Sequence, residues 1–237
     1  MIGIAFVIAI LLRLWWILPG RGGLSKKKKK KGFRSQVVAM AVLGSGKWRR
    51  RVIYRFRRRR YTFNRIQTGG HTSELLNLIK HLDPKKYRPL HLVRANTDIM
   101  SHDRSRAELN RSWILRSHEI PRSREVGQSW FSTMFSTIRA IISCVVLVFR
   151  VQPDVLFCNG PGTCVPVCFA CLLLRFLGLG RNCKIIFVES FCRSQSLSLS
   201  GRILYPIVNR FVVHWGELAR SLRSRGYTRV EYLGTLF

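Results

Sequence analysis

Apolar residues are arranged in two ways along this chain from residue 36 onward. Short runs that are apolar almost throughout predict strands at 36–43 (QVVAMAVL), 88–94, 112–120, 154–158 (DVLFC), 184–189 (KIIFVE), 211–214 and 230–233. Stretches in which apolar residues recur every three or four positions predict helices at 72–82, 164–177, 201–208 and 217–224. Runs without polar alternation suit strands buried on both faces, and their alternation with helices indicates an α/β fold, a Rossmann-like doubly wound parallel sheet. Ligands of such sheets lie beyond the C-terminal strand ends, so the loops after strands are where chemistry is expected.

Residues 127–150 form a further, longer helix. Phe131, Phe135, Ile138, Ile142, Val145 and Phe149 fall at alternating steps of four and three, with Ser132, Ser136, Arg139 and Ser143 on the other side. This two-sidedness predicts an amphipathic helix packed on the sheet, or partly on a bilayer surface, rather than a membrane span.

Ahead of these elements, residues 2–18 (IGIAFVIAILLRLWWIL) are apolar except for Arg13 and reach about 26 Å as a helix. Trp15 and Trp16 suit an interfacial belt, and the run lacks the basic start and small-residue cleavage site of a signal peptide. Residues 1–18 are therefore expected to be a retained transmembrane anchor and 19–35 a basic juxtamembrane linker, whose hexalysine Lys26–Lys31 holds the following body, 36–237, in the cytosol.

Charge sharpens this division. The 237 residues carry a formal +31, but residues 1–68 hold 19 basic residues and no acid, whereas all 11 acids lie beyond them. The rival reading suggested by charge, a basic membrane-associated nucleic-acid-binding protein, must therefore rest mostly on the anchor region, and nucleic acid is not expected as a partner. Seven cysteines, an odd number in a cytosolic body, are expected as reduced thiols. Cys164, Cys168 and Cys171 have the C-x3-C-x2-C spacing of a cluster site, yet apolar residues surround them on a helical period, so they read as core hydrophobes, with no metal expected.

Three loops combine glycines and polar groups. Gly44-Ser45-Gly46 ends the first strand, and Gly69-Gly70-His71-Thr72 opens a helix, where free N–H groups and the dipole attract an anion and a histidine can take a proton. A tight turn capped by Thr72 or Ser73 is the structural alternative. Asn159-Gly160-Pro161-Gly162-Thr163 makes a second open turn at a helix start, and Glu189-Ser190, followed by Arg193, ends a later strand.

Together with IPRSREVGQSW at 120–130, NGPGTCVP at 159–166 and VES at 188–190, these loops resemble the asparagine-linked glycosylation protein fourteen family, over residues 36–46 and about 69–237. The resemblance implies the acceptor-side half of a B-type glycosyltransferase, similar to the bacterial enzyme that completes lipid II. It implies the membrane-anchoring subunit of the transferase that adds the second N-acetylglucosamine to dolichyl-diphosphate-N-acetylglucosamine, single-pass in the endoplasmic reticulum membrane with its body cytosolic. The partner it implies is a soluble catalytic subunit that binds UDP-N-acetylglucosamine, in a heterodimer; no cofactor is expected, and the chain alone is expected to be inactive. By position, Gly44, Gly46, Gly70, Thr72, Asn159, Gly160, Gly162, Thr163, Ser190 and Arg193 are the implied acceptor-diphosphate residues, and His71 or Glu189 the group assisting deprotonation of the acceptor 4-hydroxyl. The C-terminal residues Leu233, Gly234, Thr235, Leu236 and Phe237 are the implied partner contact. A self-sufficient transferase is excluded by size, since residues 69–237 are too few for two Rossmann-like halves.

One segment departs from the family pattern. Residues 47–69 (KWRRRVIYRFRRRRYTFNRIQTG) hold ten basic residues and no acid, show no convincing helical or strand period, and separate Gly46 from Gly70; removing them restores GSGGHT. A loop at a ligand site rarely accommodates so long an unstructured insertion, and translated non-coding sequence has this composition. Sequencing the mature transcript across codons 46–70 is expected to show residues 47–69 missing from the message; their presence there establishes a genuine insertion.

Overall fold

A computed structural model of the chain describes residues 10–15, 17–18, 37–44, 54–56, 59–61, 70–109, 113–122, 130–160 and 162–234. The juxtamembrane linker, Gly46 and the last three residues, Thr235, Leu236 and Phe237, lie outside the described residues, as does most of the expected anchor. Residues 10–15 are helical (α1), and no helix among the described residues is long and apolar enough to cross a membrane.

Seven of the strands form one parallel sheet. They are β1 (Ala39–Val42), β4 (Leu90–Ala95), β5 (Leu115–Ile120), β6 (Val155–Asn159), β7 (Lys184–Val188), β8 (Arg210–Val213) and β9 (Val230–Tyr232), in the order β5-β4-β1-β6-β7-β8-β9. The helices are α2 (Gly70–Lys80), α3 (Ile99–Glu108), α4 (Trp130–Val151), α5 (Cys164–Phe176), α6 (Leu199–Leu204) and α7 (Gly216–Ser224). Growth reverses direction between β1 and β6, which makes the gap between them the topological switch point at which a doubly wound sheet binds ligands.

Burial explains why β1 lies at the centre. All four residues of Ala39–Val42 are buried, so neither face tolerates a polar side chain. Ala39, Ala41 and Leu43 meet Leu75, Leu76 and Ile79 of α2 in one core, while Met40 and Val42 belong to the other, with Cys144 and Val148 of α4 and Val167 and Cys168 of α5. Each large side chain so buried is worth roughly 1.5–3 kcal/mol of transfer free energy. Helices thus cover both faces, α2 and α3 on one and α4 to α7 on the other, as the apolar strand runs predict.

Three elements differ from the sequence expectation. Helix α3 (IMSHDRSRAE) lacks an apolar period and is set by polar groups: Asp98 caps it by accepting from Ser101 N (3.2 Å) and Ser101 Oγ (2.7 Å), and Arg104 pairs with Glu108 at 2.7 Å. The 47–69 segment, read as having no strand period, contains a small antiparallel hairpin, β2 (Tyr54–Phe56) and β3 (Arg59–Tyr61), with Tyr54 opposite Tyr61; aromatic residues have high strand propensity. The third difference is in α4, whose sheet-facing positions are the small Ala140 and Cys144 with Val148, whereas Phe135, Ile138, Ile142 and Phe149 are exposed. Small side chains let α4 approach α5 and the sheet closely, which turns the large ones outward.

The cysteines sit where the apolar pattern puts them. Six of the seven are buried, Cys158 Sγ lies 3.5 Å from Cys168 Sγ, and burial pushes the Cys144 thiol up to about 12. Thiols so far from ionisation are poor nucleophiles and poor metal ligands.

On β4 and β5 two histidines meet edge to edge. The rings of His91 and His118 are 5.0 Å apart and nearly coplanar, with Nδ1 of one 2.8 Å from Nε2 of the other. Such an N–H···N bond requires at least one neutral ring. Burial, then the charges of His118 and Arg116, lower the His91 pKa to about 4, and burial lowers that of His118 as well. In the unfolded chain both rings gain protons below about 6.5, so stability is fully present above that pH and is lost as pH falls toward the folded value. Urea unfolding of the chain should therefore show the His91 contribution fall by about 2 kcal/mol between pH 7 and pH 5. His91→Gln should flatten that slope; an unchanged slope would falsify the assignment.

Candidate functional site

The first turn of α2, the end of β6 and the loop after β7 converge at the switch point on a residue that the loop-by-loop reading passed over, Glu74. It lies one turn inside α2, with a side chain 13% exposed. Asn159, the last residue of β6, donates from Nδ2 to Glu74 Oε2 at 2.9 Å, and Ser190 Oγ and Phe191 N each approach Oε1 at 3.3 Å. His71 Nδ1 lies 3.8 Å from Oε2, an ion pair whenever the imidazole is protonated. Burial pushes the Glu74 carboxyl up, but His71, Asn159 and the charge of His214 outweigh it and hold the group below the usual glutamate value. It is an anion at neutral pH.

His71 stands in the first turn of α2, against the second glycine turn. A Cβ added at Gly160 would lie 2.5 Å from the His71 ring, and Gly160 has φ +60°, so glycine is required there on both counts. Gly162 is exposed with nothing near its missing Cβ, and Thr163 begins α5 without a side-chain cap bond. Thr163 and Cys164 are themselves buried, and the first-turn N–H groups of α5 have no side-chain cap, as a helix start that receives an anion requires. Asn159 is 1% exposed, and its amide orientation is set by the bond to Glu74; Oδ1 is left buried without a hydrogen-bond partner, an acceptor position.

The other expected site residues are placed as follows. Thr72 Oγ1 donates to Gly44 O at 3.2 Å and lies 2.6 Å from Ser101 Oγ, so its hydroxyl ties α2 to the end of β1 and to α3. Ser190 is buried in the loop after β7, and Arg193 is exposed beyond it. Glu189 is fully buried: Ser190 N reaches Oε1 at 3.1 Å, and Ser198 N and Oγ reach Oε2 at 3.0 and 3.1 Å. Burial raises its pKa, against the pull of these donors and of Arg193. The carboxylate thereby joins β7 to Ser198, the cap of α6, and Gly201 has room for no Cβ beside it, Glu189 Oε2 standing in that place. Leu233 is exposed and Gly234 has φ +86°.

Sequence reading also missed His214 and Trp215. His214, at the end of β8, is buried near Glu74, and burial lowers its pKa despite the pull of that carboxylate. Trp215 Nε1 donates to Phe191 O at 2.8 Å and stacks obliquely on the Phe191 ring, fixing the loop that reaches Glu74. The signal was available. Glu74 is the one acid near the glycine–histidine turn, three residues after His71, and His214 ends a strand as Glu189 does.

A solved structure of Acinetobacter baumannii MurG aligns with a TM-score of 0.50 at 14% identity, over 76% of this chain and 41% of that one, a likeness of fold. The UDP-N-acetylglucosamine transferase subunit alg14 of Schizosaccharomyces pombe is 38% identical over 232 residues, 96% of this chain and 95% of that protein. The human UDP-N-acetylglucosamine transferase subunit ALG14 is 42% identical over 178 residues, 71% of this chain and 79% of its own length. The family described as "Oligosaccharide biosynthesis protein Alg14 like" matches residues 66–236, which include the His71–Glu74 turn, the Asn159–Thr163 turn and the Glu189 loop. On that match and those identities, this chain belongs to the Alg14 family.

Proposed function

We propose that this chain is the acceptor-side, membrane-anchoring subunit of a UDP-N-acetylglucosamine transferase, recruiting a soluble catalytic subunit to the cytosolic face of the endoplasmic reticulum. The pair transfers the second N-acetylglucosamine to dolichyl-diphosphate-N-acetylglucosamine. The observation that carries this reading is the set of contacts to Glu74, which bring a histidine, an open helix start and a buried acceptor atom to one edge of the sheet. The names of the relatives and the apolar, lysine-followed N-terminus support it.

In this reading the open turn Gly160–Thr163 and the start of α5 hold the acceptor diphosphate, with Arg193 within the same loop system. His71 accepts the proton of the acceptor 4-hydroxyl as that oxygen bonds to C1 of the donor sugar and the C1–O bond to UDP breaks. Glu74 orients the imidazole and stabilises the imidazolium that forms, a carboxylate–histidine division of labour. The donor nucleotide is held by the partner chain.

His71→Ala, in an assembled pair, is expected to lower kcat by about 100-fold or more. Glu74→Gln is expected to lower kcat less, because the imidazolium that forms loses its counter-charge; full activity of His71→Ala sinks the base role. Glu189→Gln should lower the thermal midpoint while turnover per folded pair is kept. Loss of turnover with folding intact would instead make Glu189 the base.

For the partner contact, removal of Leu236 and Phe237 is expected to abolish co-purification of the catalytic subunit. Transfer from UDP-N-acetylglucosamine is expected only from the pair, and robust activity of this chain alone overturns the two-chain reading.

A further inference from the structure

Strand β8 brings a second histidine to the Glu74 carboxylate. Phe211 and Val213 belong to the core shared with α4 to α7, so the alternation of side chains along a strand puts His214 on the other face, the one covered by α2. Val188 of β7 lies beside Val212 in the parallel register, which sets His214 level with Ser190, whose Oγ is 3.3 Å from Glu74 Oε1. The His214 ring is 1% exposed, meets the backbone carbonyl of Glu189 and stands 5.9 Å from the Phe191 ring. Phe191 N donates to Glu74 Oε1 at 3.3 Å, and Phe191 O accepts from Trp215 Nε1 at 2.8 Å. Two successive residues, His214 and Trp215, therefore contact the segment that binds the carboxylate oxygen other than the one His71 approaches.

What a buried histidine can do here depends on its charge. Burial lowers its pKa against the pull of the Glu74 carboxylate and the Glu189 carbonyl, so at neutral pH the ring is uncharged. An imidazolium in this place would pair with Glu74 and take the charge on which His71 relies. A neutral ring does the opposite: it packs on Phe191 and offers a polar edge, and it leaves the negative charge to His71. An apolar ring of the same shape supplies the packing alone.

We propose that His214 is a positioning residue for the transfer step, a neutral imidazole that holds the Phe191 segment and the Glu74 carboxylate in the arrangement His71 uses. It acts through Glu74 and Phe191. The inference rests on the transferase reading and deepens it, adding to the His71–Glu74 pair a residue from a different strand.

The test uses the full chain assembled with its catalytic subunit, with kcat taken per folded pair and UDP-N-acetylglucosamine as donor. His214→Phe keeps a flat ring beside Phe191 and removes both ring nitrogens. It is expected to lower kcat about tenfold with the KM for the donor unchanged. His214→Gln, neutral and polar, is expected to recover most of that loss, which a packing role alone would not give. In a Glu74→Gln background His214→Phe is expected to cost little more, since effects of residues acting through one another do not add. Full kcat in His214→Phe overturns the proposal, as do losses that multiply with that of Glu74→Gln. Where His214→Phe does not assemble, His214→Leu enters the same cycle, and a His214→Gln pair as slow as the apolar variant also overturns it. A pair in which His71→Ala is fully active loses the base role and this inference together. One in which His71→Ala is inactive and His214→Phe turns over normally loses this inference alone.

Discussion

A carboxylate held largely out of water must be met by donors, and at Glu74 this requirement organises the molecule's functional edge. Its partners come from its own helix and two strand ends: His71 from the first turn of α2, Asn159 from β6, and Ser190 with Phe191 after β7. Losing one of these donors would leave buried charge unmatched, a loss larger than the net worth of an ordinary hydrogen bond. The loops are therefore interdependent. Gly160 can stand against the imidazole because it has no Cβ, and Phe191 reaches Glu74 with Trp215 holding its carbonyl from the other side. The same charge that fixes the loops is the counter-ion available to His71.

Glu189 solves a neighbouring problem with the same chemistry and a different outcome. Its oxygens are taken up by Ser190 and Ser198 within one loop, so it couples β7 to α6, and it is fully buried. Two carboxylates thus divide the switch-point side of the sheet, one facing the histidine and the open helix start, the other bracing the loop behind it. The difference is one of access, which the strand-end position of Glu189 does not convey.

Most of the fold was legible in the sequence because the strands of a doubly wound sheet are buried on both faces and must read as apolar runs. Ala39–Val42, Val155–Asn159 and Lys184–Val188 all fall within or next to such runs. Helix α3 was not legible, since polar contacts from Asp98, Ser101 and Glu108 hold it rather than an apolar face. In α4 the period was legible, whereas the sequence left open whether its large apolar residues meet the sheet or a bilayer surface. Periodicity reports that a helix has two sides; which side meets the sheet depends on the space available, and there Ala140 and Cys144 fit.

By itself, then, the sequence determined the layered α/β architecture, the glycine turns with His71 and Asn159, and the separation of a basic, apolar N-terminus from the body. These follow from local chemistry, namely hydrophobic period, turn residues and charge. The tertiary structure alone decided that Glu74 gathers those turns, that Glu189 is a buried brace, and that the large residues of α4 face outward. Each of these depends on residues far apart in the chain, as Glu74 and Ser190 are, and such distances are set only when the sheet closes.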